Sequence, residues 1–142
     1  MKIQWLIGIA LSVATVGALQ AQPSDESVTI PAPRLKIELP ARPYHMSIAD
    51  LGEFKGAYEL ADGQILRLRG FGQALYGEVG DQGEHRMVAA NRNTFVALDR
   101  KLQVRIDRGQ DGEGGGEVLM AVPMQIAETG EITEHVVRLA AR

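Results

Sequence analysis

The sequence predicts an all-β domain: an antiparallel meander of about eight short strands, drawn into a closed or half-open small barrel, with a short N-terminal helix. Three observations point there. From Ala57 onward apolar and polar residues alternate, as in Leu66-Arg67-Leu68-Arg69 and Leu102-Gln103-Val104-Arg105-Ile106. Turn-forming clusters of Gly, Asn and Asp recur at roughly the 8–12-residue spacing of all-β domains. The turns are short, so sequence neighbours must pair, and curling the meander removes the edges a flat sheet would expose.

Residues 1–21 read as a secretory signal peptide. Lys2 supplies a charged start, Ile3 to Leu19 is mostly apolar, and Val16-x-Ala18 or Leu19-x-Ala21 offers small residues for cleavage. The apolar run is short for the roughly 20 residues of a spanning helix, so no stable membrane insertion is expected after cleavage. Residues 22–46 form a proline-rich tether holding Pro23, Pro31, Pro33, Pro40 and Pro43. Val28-Thr29-Ile30 and Leu35 to Leu39 alternate like strands inside it, and proline on both sides restricts them to a sheet edge or leaves them as spacer.

Residues 47–142 are the β domain. Ser47-Ile48-Ala49-Asp50 predicts a capping box, in which serine accepts from the first helical turn and the acid three residues on reaches back. Ile48, Leu51 and Phe54 continue the helical spacing until Gly52 and Gly56 interrupt it. Strands are then expected at Ala57–Leu60, Gln64–Arg69, Gln73–Val79, Glu84–Ala89, Thr94–Leu98, Lys101–Asp107, Glu117–Ile126 and Ile132–Leu139. Asp62-Gly63 predicts a type I′ hairpin turn, and Gly109 to Gly116 a longer loop. Squat strands leave an interior filled by side chains, with Tyr58, Leu66, Leu68, Leu75, Phe95, Val104, Ile106, Met120 and Val122 as the expected core.

Composition narrows the chemistry. There is no cysteine, so disulfides and a cysteine-linked lipid are excluded; an exported chain without them suits a bacterial envelope. Loss of Lys2 with the signal leaves 14 basic against 18 acidic residues, net −4, with the signs interspersed. No nucleic-acid partner is expected from such a field. Gly70-Phe71-Gly72 has neither the helix start of a dinucleotide fingerprint nor the Gly-Lys-Ser/Thr of a Walker loop, and reads as a turn between strands.

Phe54-x-Gly56-x-Tyr58-x-Leu60, followed by Asp62-Gly63-x-x-Leu66-x-Leu68, resembles a recurrent opening of small lipocalin-like β domains. Such domains occur at the C-termini of bacterial β-lactamase-like serine hydrolases and alone in small exported proteins of unknown role. Leu75-Tyr76, Phe95 and Leu102-x-Val104-x-Ile106 look like the same pattern, so the similarity spans roughly residues 50 to 122. In the hydrolases the nucleophile lies in the other domain. The resemblance therefore implies an accessory fold and carries over no catalytic residue.

The residues agree with that expectation. Ser47 is the only serine from position 47 onward and is engaged as a cap, while Thr94, Thr129 and Thr133 have no cue for an activating base. His45, His85 and His135 stand 40 and 50 residues apart, without the pairing that puts two ligands on one face. Asp107, Asp111, Glu113 and Glu117 miss the order of a calcium loop. No catalytic residue, metal site or cofactor is expected. The candidate interaction surface is Arg67, Arg69, Phe71, Tyr76 and Arg105, outward arginines and aromatics of the kind enriched at binding hot spots; Glu59 and Glu78 are their expected cross-strand partners. The expected function is a non-enzymatic exported domain, periplasmic or secreted, that meets an envelope protein partner or serves as a structural module. The alternative is a carrier of a small apolar ligand held in the barrel.

Overall fold

Period-two alternation leaves each strand one apolar face to bury, and here the sheet curls over that face. The structure is a computed structural model and describes residues 34–109 and 114–142. Helix α1 (Ile48–Gly52) precedes eight strands: β1 (Gly56–Glu59), β2 (Ile65–Phe71), β3 (Ala74–Val79), β4 (Glu84–Ala89), β5 (Thr94–Ala97), β6 (Leu102–Arg108), β7 (Gly114–Gln125) and β8 (Ile132–Ala141). Each strand pairs antiparallel with the next, in the order β1 to β8, one uninterrupted meander.

The sheet is half-open. No ladder joins β8 to β1, but a single bridge at Leu60 and Ala141 stitches one corner. There the Glu59 and Arg142 N–H groups each donate to the other's carbonyl, at 3.2 and 2.9 Å, and Ala61 N–H donates to Ala140 at 2.9 Å. Past Ala61 the chain turns away into β2, so the remainder of the β8 edge has no partner strand among the described residues.

Inside, the register stacks apolar side chains in rows. Ala89 faces Phe95, which faces Val104, then Val118, then Leu139 across β4 to β8. All nine expected core residues join one cluster, Tyr58 and Val122 at its partly buried margin. Helix α1 buries one side chain, Leu51. Its capping box is formed: Ser47 Oγ accepts from Asp50 N–H at 3.1 Å while the Asp50 carboxylate accepts from Ser47 N–H at 3.3 Å. Leu51, and Phe54 just beyond the helix, enter the core, where Phe54 meets Phe95 edge-on at 5.0 Å.

Two local expectations are corrected. The β1–β2 turn is not type I′, which needs positive φ at both central residues. Gly63 alone has it, at 83°, and the Leu60 carbonyl accepts from Gly63 N–H, the geometry of a three-residue loop ending on a left-handed glycine. The Asp62 carboxylate takes the Gln64 N–H at 3.0 Å, which supplies the turn's remaining order. The second correction concerns Gly114 to Gly116, expected in a loop but paired with Ile106 to Arg108 as the start of β7. A Cβ at Gly116 would overlap the Arg105 carbonyl oxygen, so this ladder closes only on glycine.

Residues 34–46 form neither a strand nor a solvated spacer. They cross the outside of the sheet as an extended strap with no ladder, held by side chains and one backbone bond. Ile37 is buried against Val96 of β5 and Leu119 of β7, with Leu35, Leu39 and Val136 beside it. This explains why β5 is buried on both faces: Val96 points outward yet is 1% exposed. Tyr44 N–H then donates to the Ala89 carbonyl at 2.7 Å, and Met46 turns into the core. Val28 to Ile30 and the signal segment lie outside the described residues.

Because Ile37 is the most deeply set side chain of the strap, Ile37→Ala is expected to weaken docking by about 2 kcal/mol or more. Trypsin should then cut after Lys36 at least tenfold faster in the variant, following the usual conversion of free energy to population. Equal cleavage rates would show that something other than this side chain holds the strap.

Candidate functional site

The outer surface of β2, β3 and β4 carries the densest arrangement of outward arginine and aromatic side chains. Alternation turns Arg67 and Arg69 outward because Leu66 and Leu68 are buried, and the register then sets their neighbours. Arg67 lies opposite Glu78, which lies opposite Glu84; one row along, Arg69 lies opposite Tyr76, which lies opposite Arg86. Arg69 reaches both acids of the neighbouring row, Glu84 at 3.0 Å and Glu78 at 3.6 Å. No carboxylate among the described residues pairs with Arg67 or Arg86, so Arg86 keeps its charge on one side of the Tyr76 ring and Arg67 keeps its charge in the neighbouring row, while Arg69 on the ring's other side is held by two acids. Phe71 ends β2 beside this field, 77% exposed.

Four of the five candidate residues are thus brought together: Arg67, Arg69, Phe71 and Tyr76. Arg105 is not among them. It sits on β6, beyond β4 and β5 from the other four, and its guanidinium is held by Asp107 at 3.1 Å. Glu78 is the acid that pairs across the strands, as expected, whereas Glu59 lies opposite Ile65. Arg86 completes the row and was not singled out from the sequence. Its place follows from the β3–β4 register, which the Gly80–Gly83 turn sets.

Elsewhere, titratable groups meet in two places. His85 shares the inward parity of Met87 and Ala89 and stands opposite buried Gly77 at the end of β4. Its Nδ1 lies 2.6 Å from Asp99 Oδ2, and Asp99 Oδ1 accepts from Lys101 N–H at 3.1 Å. Partial burial pushes the Asp99 carboxyl up, but the His85 and Lys101 hydrogen bonds and both positive charges outweigh it and hold it below the ordinary carboxylate range. The pair clasps β4 to the β5–β6 turn, where Arg100 adopts a left-handed φ of 60°. Sequence reading could not find it, because the partners are 14 residues apart and meet only through hairpin register.

The second meeting is at α1. The Arg108 guanidinium lies 4.5 Å from the Phe54 ring centroid and pairs with Glu53. Tyr58 Oη donates to the Phe54 carbonyl at 2.9 Å; burial raises its hydroxyl pKa, with Arg108 pulling the other way. Solvent-open clefts of about 410 and 430 Å³ flank this cluster and share Glu53 and Arg108.

The remaining candidates are engaged locally. Asp107 accepts from Asn93 Nδ2 at 2.8 Å as well as from Arg105, and Glu117 binds Arg138 at 3.3 Å; Asp111 and Glu113 lie outside the described residues. Among the described residues no three His, Asp or Glu side chains are grouped to hold a metal ion, and no helix is long and apolar enough to cross a membrane.

The Asp99 carboxylate, held below its ordinary range, contributes stability that is present above about pH 4 and is lost as pH falls through the lower folded-state value. Asp99→Asn removes that contribution. Its fall in Tm between pH 5 and pH 2.5 is expected to be smaller than that of the natural protein by roughly 2–4 °C, a modest figure because the carboxylate is half-exposed. Equal falls in the two proteins would assign the acid sensitivity to other carboxylates.

Comparison of the chain with protein-family models, with curated proteins and with solved structures finds no match.

Proposed function

We propose that this chain is an exported, non-enzymatic β domain that works by protein contact in the bacterial envelope, through the outer face of β2, β3 and β4. The observation that carries the reading is the row Arg69–Tyr76–Arg86, with Arg67 and the exposed Phe71 beside it. Arginine and aromatic residues supply most of the energy at protein interfaces, since they combine large apolar area with forked hydrogen bonding. The guanidinium groups of Arg67 and Arg86, which no described carboxylate pairs, fit a partner surface that bears carboxylates.

Export and periplasmic or secreted location are supported by the signal-like residues 1–21 and by the absence of cysteine. The lipocalin-like resemblance is in keeping with the half-open meander and rests on the hairpin motifs named above. The filled interior weighs against a carrier of a small apolar ligand: nine large side chains of the inner cluster are under 2% exposed, where a carrier of that kind needs a lumen.

Immobilised protein should retain an acidic partner from periplasmic extract, and the double variant Arg69→Glu, Phe71→Ser should lose it by at least tenfold, the scale of one or two hot-spot residues. Retention of nothing by the natural protein, or undiminished retention by the variant, overturns the reading.

A further inference from the structure

The open edge of β8 is self-complementary, and we infer that two copies of this chain join there, β8 antiparallel to β8 about a two-fold axis at Val136. The surface is distinct from the β2–β4 face and does not depend on the role proposed for it.

Backbone direction defines the site. In an antiparallel ladder alternate residues aim both their N–H and C=O to the same side. In β8 the residues aimed at β1 are identified by their bonds: the Ala140 carbonyl accepts from Ala61, and Arg142 exchanges both bonds with Glu59. Arg138, Val136 and Glu134 share that parity. Their N–H and C=O groups point to the side that no strand covers among the described residues, while Leu139, Val137 and His135 bond to β7. An uncovered run of this kind is a template for another strand.

Side chains select the occupant. With Val136 on the axis, Glu134 of one copy faces Arg138 of the other, and the reverse, both on the outer face of the sheet. Ile132 shares this parity but would face Ala140, whose carbonyl already takes Ala61; among the described residues the pairing is therefore confined to 134, 136 and 138, three mutually hydrogen-bonded residue pairs with about six bonds. Proteins that guard an edge with charge use repulsion, commonly lysine. Here opposite signs sit symmetrically about an apolar centre, which attracts a copy running the other way. Neither charge is saturated among the described residues. Glu134 meets Lys101 through one oxygen at 3.3 Å, and Arg138 meets Glu117 through Nε at 3.3 Å, with Glu134 and Arg138 side chains 58% and 54% exposed. Val136 and the strap's Leu35 lie together on the same face, so the join also brings two apolar patches toward each other.

The test measures mass by light scattering on the purified full chain up to about 0.5 mM, the range of weak interfaces. A dimer is expected. Glu134→Arg and Arg138→Glu should each weaken it by at least tenfold, because each places like charges opposite one another twice. An equimolar mixture of the two variants should recover a one-to-one dimer, since mixing sets opposite charges across the axis again. Val136→Pro, which deletes an N–H that the β7 ladder does not use, should also abolish it while the thermal transition of the monomer persists. A monomer throughout overturns the inference, including one whose 134, 136 and 138 amides are protected by another occupant. A dimer indifferent to these variants, or a mixture that fails to recover, overturns it equally.

Discussion

Antiparallel register is the constraint on which the rest of this molecule depends. Side chains alternate with a period of two, so a slip of one residue anywhere in the meander would turn Leu66, Phe95 or Val104 to solvent and bring Arg67 or Arg105 inside. Burial of the inward rows therefore specifies the register of each pair, and the hairpin turns, a few residues each, supply the closure that makes the pairing local. The same rule sets the outer surface: once Leu66 and Leu68 are inside, Arg67 and Arg69 have one direction left, and the partners opposite them follow.

A single barrel wall would leave the outward side chains of β5 and β7 wet. Val96 and Leu119 escape this because the strap lies over them, giving that side of the domain a second, thinner apolar layer. Proline suits the strap to this position. It removes backbone donors that a ladder would require and keeps the segment extended, so side chains anchor it, with one backbone bond from Tyr44 to Ala89. The domain thus has a covered flank at β5 and β7 and an arginine-bearing flank at β2 to β4.

Polar groups are sorted in a comparable way. Carboxylates that the sequence scatters along turns become clasps between elements: Asp99 for His85, Glu53 for Arg108, Asp107 for Asn93 and Arg105. Most are exposed on at least one side, so each adds little to stability on its own. Their effect is to set the directions of hairpins. Among the described residues, acids engaged in such contacts do not converge on a shared site.

The amino-acid sequence by itself determined the class of fold, the eight strands to within a few residues, the capped helix and the nine core positions, because these follow from local alternation, capping and turn chemistry. It also showed that Arg67, Arg69, Phe71 and Tyr76 face outward, and it named Glu78 as a partner. Only the tertiary structure decided that Arg105 stands apart and Arg86 belongs, that His85 meets Asp99, that the strap docks without a ladder, and that one corner of the barrel closes while most of the β8 edge has no partner strand among the described residues. These outcomes depend on which residues distant in sequence are brought within a few ångströms. Strand order, curvature and the reach of particular side chains govern that, and no local pattern encodes them.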